Sequence, residues 1–101
     1  MSLHASLVES YATAVRFPDV SGFEILELLD QRSRLAQVER ELTPAERSAL
    51  ETADATFLQN APILYRQVSA VADLETLRKG AEVLPSHWWW YLDSFARTPV
   101  A

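Results

Sequence analysis

With 101 residues the chain has the size of one domain, and its formal charge of −5 comes from fourteen acidic residues against nine basic ones. The eight Arg and single Lys are scattered rather than clustered, which argues against a basic face that would displace counterions from phosphates, so a nucleic-acid partner is not expected. Absence of Cys excludes disulfides and thiolate metal sites, and no run approaches the roughly 18 apolar residues of a membrane span.

Only two glycines, set among abundant Ala, Leu, Glu and Arg, favour helix. A chain of this length buries roughly 60–70% of its unfolded surface, enough for a thin core. The N-terminus lacks a basic stretch followed by an apolar one, so a cytoplasmic protein is expected.

Residues 3–16 place Leu3, Leu7, Val8, Tyr11 and Val15 at helical spacing. Phe17-Pro18 ends that helix, because a residue before proline is pushed out of the helical region. Ser21-Gly22-Phe23-Glu24 has the form of a capping box opening a helix over 22–41. Leu28, Leu35 and Leu42 recur every seven residues there, beside Ile25, Leu29 and Val38, and Asp30 and Arg34 pair across one turn of the outer face.

Thr43-Pro44-Ala45-Glu46 is a second capping box, with Pro44 in the first turn, where a missing N–H costs nothing. So short a connection makes the two helices an antiparallel hairpin centred on Thr43. Helix is predicted over 44–79, kinked or broken near 60–62. Asn60 and Pro62 favour a new start, whereas Leu50, Phe57, Leu64 and Val71 keep their seven-residue spacing across the site. The preserved spacing favours a kinked, nearly continuous helix. Asp73 to Gly80 forms its last stretch, with Glu75 and Lys79 paired and Gly80 as C-cap.

Pro85-Ser86-His87-Trp88-Trp89-Trp90-Tyr91-Leu92 is the most unusual stretch. Trp88, Trp89, Trp90, Tyr91 and Phe95 make up half of the ten aromatic residues. Ser86 is the expected cap of a short helix over 87–96. Successive side chains in an α-helix are about 100 degrees apart, so Trp88, Tyr91, Leu92 and Phe95 share a face while Trp89 and Trp90 point away. A buried aromatic removes roughly 150–250 Å² from water, so rings left uncovered create a patch of the kind that marks interfaces. Three dockings compete: within the chain's own core, in a second protomer, or in a heterologous protein partner.

Catalytic and metal signals are poor. Ser86, His87 and Asp93 have triad chemistry, but close neighbours along a chain do not usually converge on one reacting atom. His87 is expected in a capping turn or on the surface. No His-Glu-x-x-His motif, acidic calcium loop or Gly-rich phosphate loop occurs, so no catalytic residue, metal or cofactor is expected. An enzyme or small-ligand site using His87 is the remote alternative.

The Pro85 to Asp93 string, preceded by Leu42-Thr43-Pro44-Ala45-Glu46-Arg47, resembles a group of short uncharacterised bacterial helical proteins ending in the same aromatic signature. Some of that group are antitoxin-like, and the resemblance implies an inhibitor of a co-produced protein as one alternative. The residues themselves predict an all-α fold: a small helical bundle built on a long αα-hairpin, with a short C-terminal aromatic helix. The expected role is a non-catalytic interaction module, a homodimer in the first instance, with Trp88, Trp89, Trp90, Tyr91 and Phe95 as anchors.

Overall fold

Both capping boxes form, and they set the frame. In the computed structural model, Ser21 Oγ accepts from Glu24 N while Glu24 Oε2 accepts from Ser21 N, opening α2 (Gly22–Val38). Thr43 and Glu46 repeat the exchange at the start of α3 (Pro44–Gln59). Each cap satisfies otherwise orphaned N–H groups and contributes about 0.5–2 kcal/mol. A single 3₁₀ turn, Glu39–Glu41, joins α2 to the second box and reverses the chain.

The structure describes residues 4–97, with side chains from 4 to 95. Among them are six α-helices and no strand, so the fold is all-α. The expected αα-hairpin is corrected in its packing: α2 and α3 are joined at Thr43 and run antiparallel, but α3 packs mainly on α1 (Ala5–Arg16), and α2 on α1 and on the helix after Asn60, rather than on each other. α1 runs in the same direction as α3, with Ala5 and Ala45 sharing one groove and Asn60 Nδ2 donating to Val15 O at 2.8 Å further along. α2 returns along α1, and Gln31 Nε2 donates to Ser10 Oγ. The expected start of the first helix at residue 3 lies outside the described residues.

The nearly continuous helix over 44–79 is corrected to three helices. α3 stops at Gln59, because Asn60 takes φ −95° and ψ 6° and uses its amide on Val15 rather than as a cap. α4 (Ala61–Ser69) then starts with Pro62 in its first turn, where no N–H is needed. A second break follows Ser69. Asp73 caps α5 (Leu74–Ala81), its carboxylate accepting from Glu75 N and Thr76 Oγ1. Leu50, Phe57 and Leu64 are buried as their spacing implied, but Val71 lies past the end of α4 and is exposed.

Gly80 is not the C-cap either. It lies inside α5, and the left-handed position falls to Glu82 at φ 52°. The N–H groups of Glu82 and Val83 both donate to Arg78 O, closing the helix two residues later than expected. Gly22 has a different task. A Cβ there would sit 2.3 Å from Gln67 O and 2.5 Å from Val71 Cγ2, so its bare Cα lets the start of α2 lie against the end of α4.

The core gathers Val8, Tyr11 and Val15 of α1 with Ile25, Leu28, Leu29 and Leu35 of α2, Phe57 of α3 and Leu64 and Val68 of α4. Trp89 and Leu92, from the C-terminal aromatic segment, complete it. Among the described residues no helix is long and apolar enough to cross a membrane.

Candidate functional site

The aromatic segment begins with a turn, His87 N donating to Leu84 O, and continues as a 3₁₀ helix, Trp88–Tyr91, leading into α6 (Leu92–Arg97). Ser86 lies in the preceding turn, and the N-cap position falls to His87, whose side chain makes no capping bond. The α-helical geometry expected over 87–96 is therefore corrected for its first half. In a 3₁₀ turn, side chains three apart eclipse each other, so Trp89 and Leu92 share one inward face. Both are buried, Trp89 at 2% exposure.

Trp89 is held on three sides. Its indole N–H donates to Ser33 Oγ at 2.9 Å, and the Trp90 indole donates to the same oxygen at 2.8 Å. His87 stacks on it with ring centroids 4.7 Å apart, and Trp88 meets it edge-on at 5.6 Å. Trp88 also makes edge contacts with Phe57 and Phe95, tying α3 and α6 to the segment.

Over Trp89 lies the Arg32 guanidinium, 4.4 Å from the ring centroid and only 4% exposed as a residue. Asp54 holds it from α3 with a two-point bridge, to Nε at 2.9 Å and Nη2 at 3.1 Å. Tyr11 of α1 donates its hydroxyl to the same Asp54 at 2.7 Å. Burial, and then the Asp54 charge, push the Tyr11 phenol above its ordinary range. One ion pair thus joins α1, α2, α3 and the aromatic segment.

A second ion pair pins α5. Arg78 places its fork on both Asp93 oxygens, at 2.6 and 3.2 Å, and its Nη1 also donates to Trp90 O. The Tyr91 ring lies 4.5 Å from its Cζ. The hydrogen bond from Arg78 holds the Asp93 carboxyl below its ordinary value and, reciprocally, raises Arg78. With both oxygens engaged by Arg78, Asp93 does not orient the His87 imidazole, which is stacked on Trp89. Ser86, His87 and Asp93 do not assemble as a triad.

The five aromatic anchors separate by depth. Trp89 is enclosed by its own chain, Trp88, Trp90 and Tyr91 are half-buried, and Phe95 is exposed at 38%. Of the three dockings expected for the segment, Trp89 takes the one within the chain's own core, with its inward face held by the 3₁₀ turn and by Ser33. The most exposed aromatics lie elsewhere, Phe17 at 62% just after α1 and Phe23 at 70% in the first turn of α2. In the sequence Phe17 stands at a helix stop and Phe23 inside a capping box. The available signal was two phenylalanines flanking a proline-containing connection, off the apolar stripe. Val71, also exposed, packs beside Gly22.

Among the described residues no group of three or more His, Cys, Asp or Glu is arranged to hold a metal ion. No protein-family model, curated protein or solved structure matches the chain.

Proposed function

We propose that this protein is a non-catalytic protein–protein interaction module that pairs with a second copy of itself. The docking surface is the end of the bundle that carries Phe17 and Phe23. The observation behind this reading is their exposure, 62% and 70%, on two sides of one short connection, with exposed apolar Val71 against Gly22. A single exposed apolar side chain needs no explanation, but these are the two most exposed aromatic residues, and aromatic side chains are enriched at interfaces. Phenylalanine in particular carries no polar group that water would solvate.

The aromatic C-terminal segment holds the module together by joining α2 and α3 to α6. A two-fold pairing places the same patch on both subunits, so one pair of substitutions removes both halves of the contact. Sedimentation of the wild type is expected to give a dimer. The Phe17→Ser/Phe23→Ser variant is expected to sediment as a monomer with unchanged far-ultraviolet circular dichroism. A monomeric wild type at about 100 μM, well above the micromolar constants of weak stable interfaces, removes self-association from consideration.

A further inference from the structure

A groove runs between α1 and α3, which lie side by side in the same direction. Toward the start of both helices it holds an open cavity of about 330 Å³, with an almost wholly apolar lining from Ala5, Val8, Ala12, Ala45 and Ala49. Ala45 and Ala49 are exposed, so this part of the face lies uncovered. A cavity of about 150 Å³ is enough to take up benzene, so this one has room for a phenyl ring. The groove continues past Ala12 to Arg16, at the end of α1. There the Arg16 guanidinium is 6.0 Å from the centroid of the Phe17 ring, which sets that exposed ring beside the groove's other end.

The charges on the same face are ordered. Glu9 and Arg16 both line the groove and are exposed. Among the described residues neither makes an ion pair within the chain. They stand two turns apart on one face of α1, about 10 Å along the helix, too far to pair with each other. A two-fold axis midway between Ala12 and Thr13 sets a second α1 antiparallel to the first. It brings Glu9 of each copy against Arg16 of the other. That same axis brings Phe17 of each copy over Val8 of the other, and so into the apolar cavity. A parallel arrangement would instead set Glu9 on Glu9 and Arg16 on Arg16, which repel.

We infer that this groove docks on the same groove of a second copy, with Phe17 of each chain in the apolar cavity of the other and Glu9–Arg16 ion pairs at both ends. The inference rests on the reading of the protein as a self-associating module, and adds what receives Phe17 and what fixes the register. Exposed ion pairs contribute little affinity and act chiefly on register and partner choice.

The test is sedimentation of the full-length chain and its charge variants. The wild type is expected to dimerise. Glu9→Arg and Arg16→Glu each set like charges at both ends of the contact, and each is expected to raise the dissociation constant at least about tenfold. Mixed in equal amounts, the two variants again oppose unlike charges at both ends. They are expected to pair with each other about as tightly as the wild type, which also shows that both are folded. Ala49→Arg, at an exposed helix position, is expected to fill the cavity and weaken the dimer. Single reversals that pair as the wild type does, a mixture that stays monomeric beside a dimeric wild type, or an unchanged Ala49→Arg dimer each overturn the pairing. If the dimer resists these changes and is lost only in Phe17→Ser/Phe23→Ser, self-association stands and this register falls. A wild type that is monomeric at about 100 μM removes both.

Discussion

Ser33 has no distinction in the sequence, a small polar residue on α2 between two arginines. In the fold two indole N–H groups converge on its hydroxyl oxygen, using both of its acceptor positions. Ser33→Ala leaves the Trp89 donor buried without a partner, while Trp90, half-buried, can reach water. The expected loss is about 1–3 kcal/mol, the range for stranding a buried donor, read as a lower urea midpoint at unchanged slope. A loss under about 0.5 kcal/mol, the ordinary scatter of surface substitutions, would mean that the serine does not fix the indoles. Tyr11 gives a second residue-scale outcome through pH. Burial and Asp54 raise its phenol in the folded chain above the ordinary 10.0, so the unfolded state releases that proton first. Its contribution is whole below pH 10 and is lost progressively as the pH rises beyond it. Tyr11→Phe should therefore flatten the decline of the thermal midpoint above pH 10, and an equally steep decline in that variant would assign it to other groups.

The elements were legible where local chemistry decides them. Ser21 and Thr43 announce their boxes because a cap needs only residues three apart, and Asp30–Arg34 and Glu75–Lys79 pair within one turn as their spacing implies. What could not be read depended on partners distant in sequence. Asn60 breaks the chain because Val15, forty-five positions earlier, takes its amide. The 3₁₀ form of Trp88–Tyr91 places Trp89 over a serine fifty-six positions away, whereas the α-helical period pointed that ring outward. The Arg32–Asp54 bridge joins residues on two different helices, and neither carries a local signal of the other. The two glycines test the same distinction between local and distant causes. Gly80 has nothing within 4 Å of an added Cβ, so only propensity acts, and Gly80→Ala should stabilise by about 0.5–1 kcal/mol. At Gly22 an added methyl meets the backbone of Gln67, and Gly22→Ala should destabilise by about 1–3 kcal/mol, as overpacking does. Chemical denaturation of the two variants side by side checks both signs; a stabilised Gly22→Ala would mean that α2 and α4 are not held at this spacing.

At the scale of the whole molecule the question is whether the aromatic segment is a tail resting on a finished bundle or part of what makes the bundle stable. Magnitudes decide it. A domain of about 100 residues has roughly 5–15 kcal/mol of net stability. Truncating a buried Trp to Ala costs about 3–5 kcal/mol and a buried Leu about 2–5. Trp89 and Leu92 together therefore account for roughly as much as the lower half of that range. Removing the segment also strips Trp88 from Phe57, uncovers the buried Arg32 guanidinium, and takes Asp93 from Arg78, the side chain that pins α5. A chain ending at Val83 is accordingly expected to lose its cooperative thermal transition while keeping fluctuating helix, the mark of an unfinished core. Circular dichroism melts of that chain beside the full-length one provide the check. If the shortened chain still melts in a single sharp transition, the helices before residue 84 are self-sufficient, and the tryptophans are then a detachable docking segment. The enclosed Trp89, the shared Ser33 oxygen and the ion pair beneath it all argue for the first outcome, in which the segment is an interior wall of the bundle.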